Sequence, residues 1–164
     1  MYGGDYVGQG NLAVLAGNTG DDFLVAGDNA DGDVYIFGDN RTGPILGFTN
    51  AGEYGRERNF LEDGDDVIYG GDNGAGDLYM VGGYGDDKIF SGNDTRGDYV
   101  IAFGDQPEST TAPYDLPDGS DWSEFRGAPG DGDDLIRMGN HPDVVVGVYG
   151  YGNGGNDKIF GGIG

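Results

Sequence analysis

The chain has 164 residues, 37 of them glycine and 30 aspartate or glutamate against 8 lysine and arginine, which leaves a formal charge of −22 and no cysteine. An apolar share of 36% under so much like charge excludes an ordinary helical core, a disulfide framework, and nucleic acid or anionic membrane surfaces as partners. No apolar run is long enough to insert in a bilayer, yet 11 Tyr and 8 Phe exceed what an acidic tail carries, so residues 1–164 are expected to fold as one domain that attracts cations.

In chain order the predicted elements are short apolar runs: Leu12–Leu15, Phe23–Val25, Val34–Phe37, Leu78–Val81, Tyr99–Phe103 and Val144–Val146. Rich in Val, Ile, Tyr and Phe and fenced by Gly and Asp, they read as strands. No segment holds a 3.6-residue period, so helix is not expected.

Two kinds of turn separate the runs. A short turn recurs as Gly20-Asp21-Asp22, Gly64-Asp65-Asp66, Gly85-Asp86-Asp87, Gly132-Asp133-Asp134 and Gly155-Asn156-Asp157, each followed by one residue and then an apolar one. A long turn carries extra polar residues, as in Gly27 to Asp33, Gly71 to Asp77 and Gly92 to Asp98. The last acids of these turns, Asp22, Asp33, Asp66, Asp77, Asp87 and Asp98, fall at steps of 10 or 11 residues except for one gap of 33. That gap reads as three steps with two degenerate members near Pro44 and Gly55. After Asp98 the phase breaks over about 104–130, an insertion or distorted coil that holds four of the six prolines, and it resumes at Asp134, Asp143 and Asp157.

Strand and turn alternating at a constant step build a solenoid. Strands after short and long turns fall on two opposed parallel sheets, with one coil of about 22 residues rising about 4.8 Å. Equivalent turn residues then stack in columns, and carboxylates about 5 Å apart repel by on the order of 1 kcal/mol per pair even in high dielectric. Over all the turns that repulsion exceeds the stability of a domain this size. A hard divalent cation between coils reverses the sign. Calcium suits the donor set, since it accepts carboxylate and carbonyl oxygens in irregular geometry, whereas magnesium demands a strict octahedron. With no Cys and only His141, zinc and copper are excluded. The candidate ligands are Asp22, Asp33, Asp66, Asp77, Asp87, Asp98, Asp134, Asp143 and Asp157 for several calcium ions. The competing reading is that each carboxylate accepts backbone N–H groups as an Asx-turn and binds no ion.

Gly82-Gly83-Tyr84-Gly85-Asp86-Asp87-Lys88-Ile89-Phe90 matches the nonapeptide G-G-x-G-x-D-x-U-x at every defined position, and residues 17–25 match it with Asn18 for the second Gly. The chain thus resembles the calcium-binding repeats of the RTX, or haemolysin-type, family. That resemblance implies a right-handed parallel β-roll, calcium held by the sixth-position aspartate (here Asp22, Asp66, Asp87, Asp134 and Asp157), and export to a calcium-rich exterior. The family advances by nine residues and this chain by about eleven, so the long turns with Asp33, Asp77 and Asp98 are not family motifs.

Other motifs have plainer explanations. Gly150 to Gly155 spells G-x-G-x-x-G, but no helix is expected after it. Asp28 to Asp33 lacks the flanking helices and ligand spacing of an EF-hand. Arg96-Gly97-Asp98 falls in phase with the repeat, His141 is a surface residue beside Pro142, and Asn40 and Asn93 begin glycosylation sequons. Gln106–Arg126, with Trp122 and Phe125, is a binding loop or a lid over one sheet face.

The functional expectation is an extracellular, secreted, calcium-binding structural or adhesive β-solenoid, not an enzyme. Uncapped strand edges would pair with another copy and assemble it end to end into a fibre or surface layer. The alternative is a calcium-dependent carbohydrate-binding or secretion module accompanying a secreted enzyme, with neutral glycan on exposed Tyr. Ice binding requires ranked Thr on a flat face, and the few Thr here are scattered.

Overall fold

The computed structural model describes residues 11–18, 20–29, 32–39, 64–94, 99–105, 132–140 and 147–162. Asn40, Arg96 to Asp98, Gln106–Arg126, His141 and Asp143 to Val146 lie outside them, and with them the expectations made for those residues. The described residues form ten strands: β1 Asn11–Asn18, β2 Phe23–Val25, β3 Gly32–Asp39, β4 Val67–Tyr69, β5 Leu78–Gly83, β6 Lys88–Phe90, β7 Tyr99–Asp105, β8 Leu135–Arg137, β9 Gly147–Tyr151 and β10 Lys158–Phe160. Among them there is no helix. Odd strands make one five-stranded parallel sheet in the order β1-β3-β5-β7-β9, and even strands make the other, β2-β4-β6-β8-β10. This is the arrangement of a parallel β-roll: each coil is one long strand, the short-turn corner, one three-residue strand and the long-turn corner. We number the coils 1 to 5 from β1–β2 to β9–β10.

Alternation explains which side chains go inside. In β3, Val34 and Ile36 are buried between the sheets while Tyr35 and Phe37 face outward. Each three-residue strand sends only its middle residue inward, as in Leu24 of β2. In-register parallel pairing stacks like on like: Leu24, Ile68, Ile89, Ile136 and Ile159 form one column, and Ala13, Val34, Leu78, Val100 and Val148 another. Volumes compensate across the interior, because a Cβ on Gly70 would lie 2.8 Å from Leu78 Cδ2 and 2.9 Å from Met80 Sδ. Outside, Tyr35 stacks on Tyr79 (4.9 Å between centroids) and Tyr69 on Phe90 (4.9 Å), the spacing of neighbouring parallel strands.

The expected coil length holds where the corner is tight: Asn11 pairs with Gly32, 21 residues on, and Leu78 with Val100, 22 on. The gap after Asp33 is a correction. β3 pairs directly with β5 and β2 with β4, so no rung lies between them, and the three-step reading with degenerate members near Pro44 and Gly55 fails. In the same way β6 pairs directly with β8 across residues 106–131. Both long intervals leave from one corner, between a long strand and the short turn that follows, in coils 2 and 4. The partner of β7 is Gly147–Tyr151, beyond the Val144–Val146 run.

Ile89 is fully buried at the centre of its column. Ile89→Ala should therefore cost about 2–5 kcal/mol in denaturant unfolding. Phe160→Ala, at a side chain 53% exposed, should cost far less.

Candidate metal corner

The short-turn corner presents two columns of acids that face opposite ways. Asp21, Asp65, Asp86 and Asp133 are exposed, and each carboxylate accepts the N–H of the equivalent residue one coil further on: Asp65 to Asp21 (3.0 Å), Asp86 to Asp65 (2.9 Å), Asp133 to Asp86 (2.8 Å) and Asn156 to Asp133 (2.8 Å). The sixth-position column, Asp22, Asp66, Asp87, Asp134 and Asp157, runs in reverse. There the N–H of the earlier coil donates to the later carboxylate: Asp22 to Asp66 Oδ1 (2.8 Å), Asp66 to Asp87 Oδ1 (2.8 Å), Asp87 to Asp134 Oδ1 (2.9 Å) and Asp134 to Asp157 Oδ1 (3.0 Å). Oδ1 thus accepts a main-chain N–H of the neighbouring coil and not of its own turn, so these bonds are not the local Asx-turns weighed from sequence.

Oδ2 has a different environment. Asp66, Asp87 and Asp134 are 0%, 1% and 2% exposed, and their Oδ2 atoms are buried with no hydrogen-bond partner. Each is directed across the corner at a glycine of its own coil. A Cβ built on Gly38 would collide with Asp66 Oδ2 and with the Gly82 carbonyl oxygen, and one on Gly82 with Asp87 Oδ2 and the Gly104 carbonyl oxygen. Gly104 and Gly152 face Asp134 and Asp157 in the same way. Glycine is required here for this close approach, and Gly85, at φ 114°, is required for the turn itself. At Gly38 and Gly82 carboxylate and main-chain oxygens thus crowd one point, which is a donor set of hard oxygens that fits calcium. Among the described residues no three acidic or imidazole side chains converge into a metal-holding group, so an ion here would draw mainly on main-chain oxygens.

Burial is the largest influence on these groups. It pushes Asp66 up to about 7, Asp87 to about 9 and Asp134 to about 8; the accepted N–H bonds oppose the rise and neighbouring carboxylates add to it.

The long-turn corner is built differently. Its markers Asp33 and Asp77 are half-buried, and their Oδ1 atoms accept the N–H groups of Asp77 (3.0 Å) and Tyr99 (3.2 Å) in the next coil. The buried residues are Asn29, Asn73 and Asp94, which sequence reasoning did not select. Asn29 Nδ2 donates to Asn73 Oδ1 (3.1 Å) and to the Gly32 carbonyl, and Asn73 Nδ2 to the Gly76 carbonyl (2.6 Å). Two further buried acids also went unselected, Asp39 and Asp105, at the ends of β3 and β7. Gly150 to Gly155 leads from β9 toward β10, a strand, in keeping with its rejection as a dinucleotide loop.

No protein-family model, no curated protein and no solved structure matches this chain.

In the absence of metal, Asp66, Asp87 and Asp134 hold protons in the folded state at pH values where an unfolded aspartate has lost them. The folded chain then binds more protons, and stability falls as pH rises from the unfolded value through the folded ones. A loss of thermal stability in chelator between about pH 6 and about pH 9 reports the buried three. A melting temperature that is flat or rising across that window would contradict their burial.

Proposed function

We propose that this chain is a calcium-stabilised structural β-solenoid of the cell exterior, without catalysis of its own. The observation that carries the reading is the row of inward carboxyls whose Oδ2 atoms, in Asp66, Asp87 and Asp134, are buried and lack a partner, with a glycine carbonyl oxygen beside those of Asp66 and Asp87. A carboxyl in that position needs a proton or a cation. At neutral pH outside the cell calcium is abundant, and sites of modest affinity fill there. The match of residues 82–90 to the RTX nonapeptide supports the same assignment.

The residues that would hold the ions are Asp66, Asp87 and Asp134 with the Gly82 and Gly104 carbonyls, and the ion would supply positive charge to oxygens withdrawn from water. The chain's own residues do the rest. Oδ1 of each aspartate fixes the rung spacing through the neighbouring N–H, and the glycines keep the corner open. Asp33 and Asp77, half-buried and engaged with main-chain N–H groups, are given no ion in this reading.

Self-association is part of the proposal. Ile159 belongs to the inner isoleucine column, yet on the terminal rung of the described ladder it is 46% exposed, while Ile68, Ile89 and Ile136 are fully buried. A further rung from another copy would cover it, giving end-to-end growth. No helix among the described residues is long and apolar enough to cross a membrane.

Calcium should raise the melting temperature and hold the β signal in far-UV circular dichroism, and excess chelator should remove both. Each site contributes about 2.7 kcal/mol when calcium stands at a hundred times its dissociation constant. Above about pH 9 in chelator, Asp87→Asn, which removes the buried charge, should melt higher than the parent, and it should gain less from calcium. An identical melt of the parent with calcium and with chelator would overturn the reading.

A further inference from the structure

We propose that the outward face of the even-strand sheet docks a second copy of this chain side by side, the exposed short-turn acids of one copy lying against Lys88, Arg137 and Lys158 of the other. The proposal goes beyond the calcium reading. It uses neither the inward acids nor the solenoid ends, so it can fail while both of those stand.

Each three-residue strand sends its first and third residues outward, and none of the residues so placed is acidic in a chain that carries 30 acids. Lys88, Arg137 and Lys158 are the lysines and arginines among the described residues, and all of them stand exposed on this one face. None is joined to a described acid by an ion pair. They occupy coils 3, 4 and 5 in turn: Arg137 is in register with Phe90 and Phe160, while Leu135 separates Lys88 from Lys158 in the neighbouring column. One cation per coil repeats about every 4.8 Å along the axis, and the two columns lie about 7 Å apart across the strand, a distance that long basic side chains span.

The remainder of the face is apolar. Phe23, Tyr69 and Phe160 are large side chains left exposed, and Tyr69 sits between Phe23 (5.6 Å between centroids) and Phe90 (4.9 Å), so these rings are ordered before any contact. Aromatic rings with arginine and no acid are the composition of an interface core.

The occupant is read from the spacing. Asp21, Asp65, Asp86 and Asp133 present one exposed carboxylate per coil, each held in place by the N–H of the next coil. The acid ladder and the cation ladder are therefore built on the same rise. A stagger of one coil sets Asp65, Asp86 and Asp133 of one copy against Lys88, Arg137 and Lys158 of another. Single exposed ion pairs contribute little, and it is repetition at a common spacing that makes the row count. Repulsion between two chains of charge −22 is screened beyond about 8 Å at physiological ionic strength, so the contacts at the interface decide. Acid corner and cation face are different surfaces of one molecule, so the contact is heterologous and continues from copy to copy, across the direction of end-to-end growth.

Sedimentation velocity of the full chain in calcium at physiological ionic strength tests this, together with carbodiimide cross-linking of an equal mixture of isotope-labelled and unlabelled chains. We expect label-mixed cross-links, each an amide formed from a carboxylate and an amine with loss of water, that join Lys88 or Lys158 to Asp65, Asp86 or Asp133. Combining Lys88→Glu, Arg137→Glu and Lys158→Glu should weaken association by about tenfold or more, with circular dichroism unchanged because all three side chains are exposed. That variant keeps its acid corner, so adding it to the parent should cap and shorten the parent's assemblies. Ile159→Lys, which places a charge on the terminal rung, should leave the lateral cross-links in place. Association that survives the triple substitution, or cross-links lost with Ile159→Lys, overturns the side-by-side contact. So does a parent chain that stays monomeric, including one retained through the same three cations on an immobilised acidic polysaccharide, which would give the face a different occupant. None of these outcomes bears on the calcium reading, which melting in calcium and in chelator decides separately.

Discussion

A carboxylate has acceptors and no donors, and this molecule places one inside every short-turn corner. In Asp66, Asp87, Asp134 and Asp157, Oδ1 is satisfied by the main chain of the preceding coil, so the column of sixth-position aspartates behaves as a ladder of side-chain rungs parallel to the sheet. The exposed column beside it runs its bonds in the opposite direction, from the later coil's N–H to the earlier carboxylate. Together they clamp each coil from both sides and oppose register slip in strands of only three residues, which by themselves pair weakly. The exposed column keeps its free oxygens in water at little cost. The inward column loses that option, and its second oxygens define what else the fold must acquire.

The neighbouring features follow from that demand. Gly17, Gly38, Gly82, Gly104 and Gly152 line up opposite the inward acids because any side chain there would occupy the space of an oxygen. The isoleucine column begins two residues after each acid, so the most desolvated carboxyls sit against the driest part of the core. Burial, more than mutual repulsion, dominates the electrostatics of Asp66, Asp87 and Asp134. The argument from stacking named mutual repulsion as the cost, and desolvation is the larger one.

The fold was largely legible in the sequence because its signal is local and repeated. Phe23–Val25 is the observed strand to the residue, and Val34–Phe37 and Leu78–Val81 lie inside longer strands. The failure came where counting along the chain stood in for adjacency in space. Gly43-Pro44-Ile45-Leu46 kept a glycine and an apolar pair in phase, but the parallel sheets join β3 to β5 with nothing between them. Asp39 and Asp105 were missed for a related reason: at the second-glycine position an acid registers only as a mismatch. The available signal lay in their context. Gly38-Asp39 and Gly104-Asp105 each stand just before a break in the period, and both breaks end in Asp-Gly-Asp-Asp, at residues 63–66 and 131–134. Burial in the long turn was hidden by a choice between adjacent polar residues that sequence cannot make, and Asn29 and Asn73 turned inward where Asp33 and Asp77 had been selected.

The contrast between the two corners argues for a division of labour. Asn carries a donor and an acceptor on one side chain, so a column of amides can satisfy itself, as Asn29 does in donating to Asn73 and to the Gly32 carbonyl. The column is not amide throughout, since its next member is the buried Asp94, and Asn29 Oδ1 is itself buried with no partner. A column of carboxylates cannot close in this way, because its members share the same deficiency. Asp66, Asp87 and Asp134 must take a proton or a cation, and either makes the corner conditional on the surroundings. The short-turn corner is therefore conditional on the surroundings, and because every coil passes through it, that condition is imposed on the whole stack.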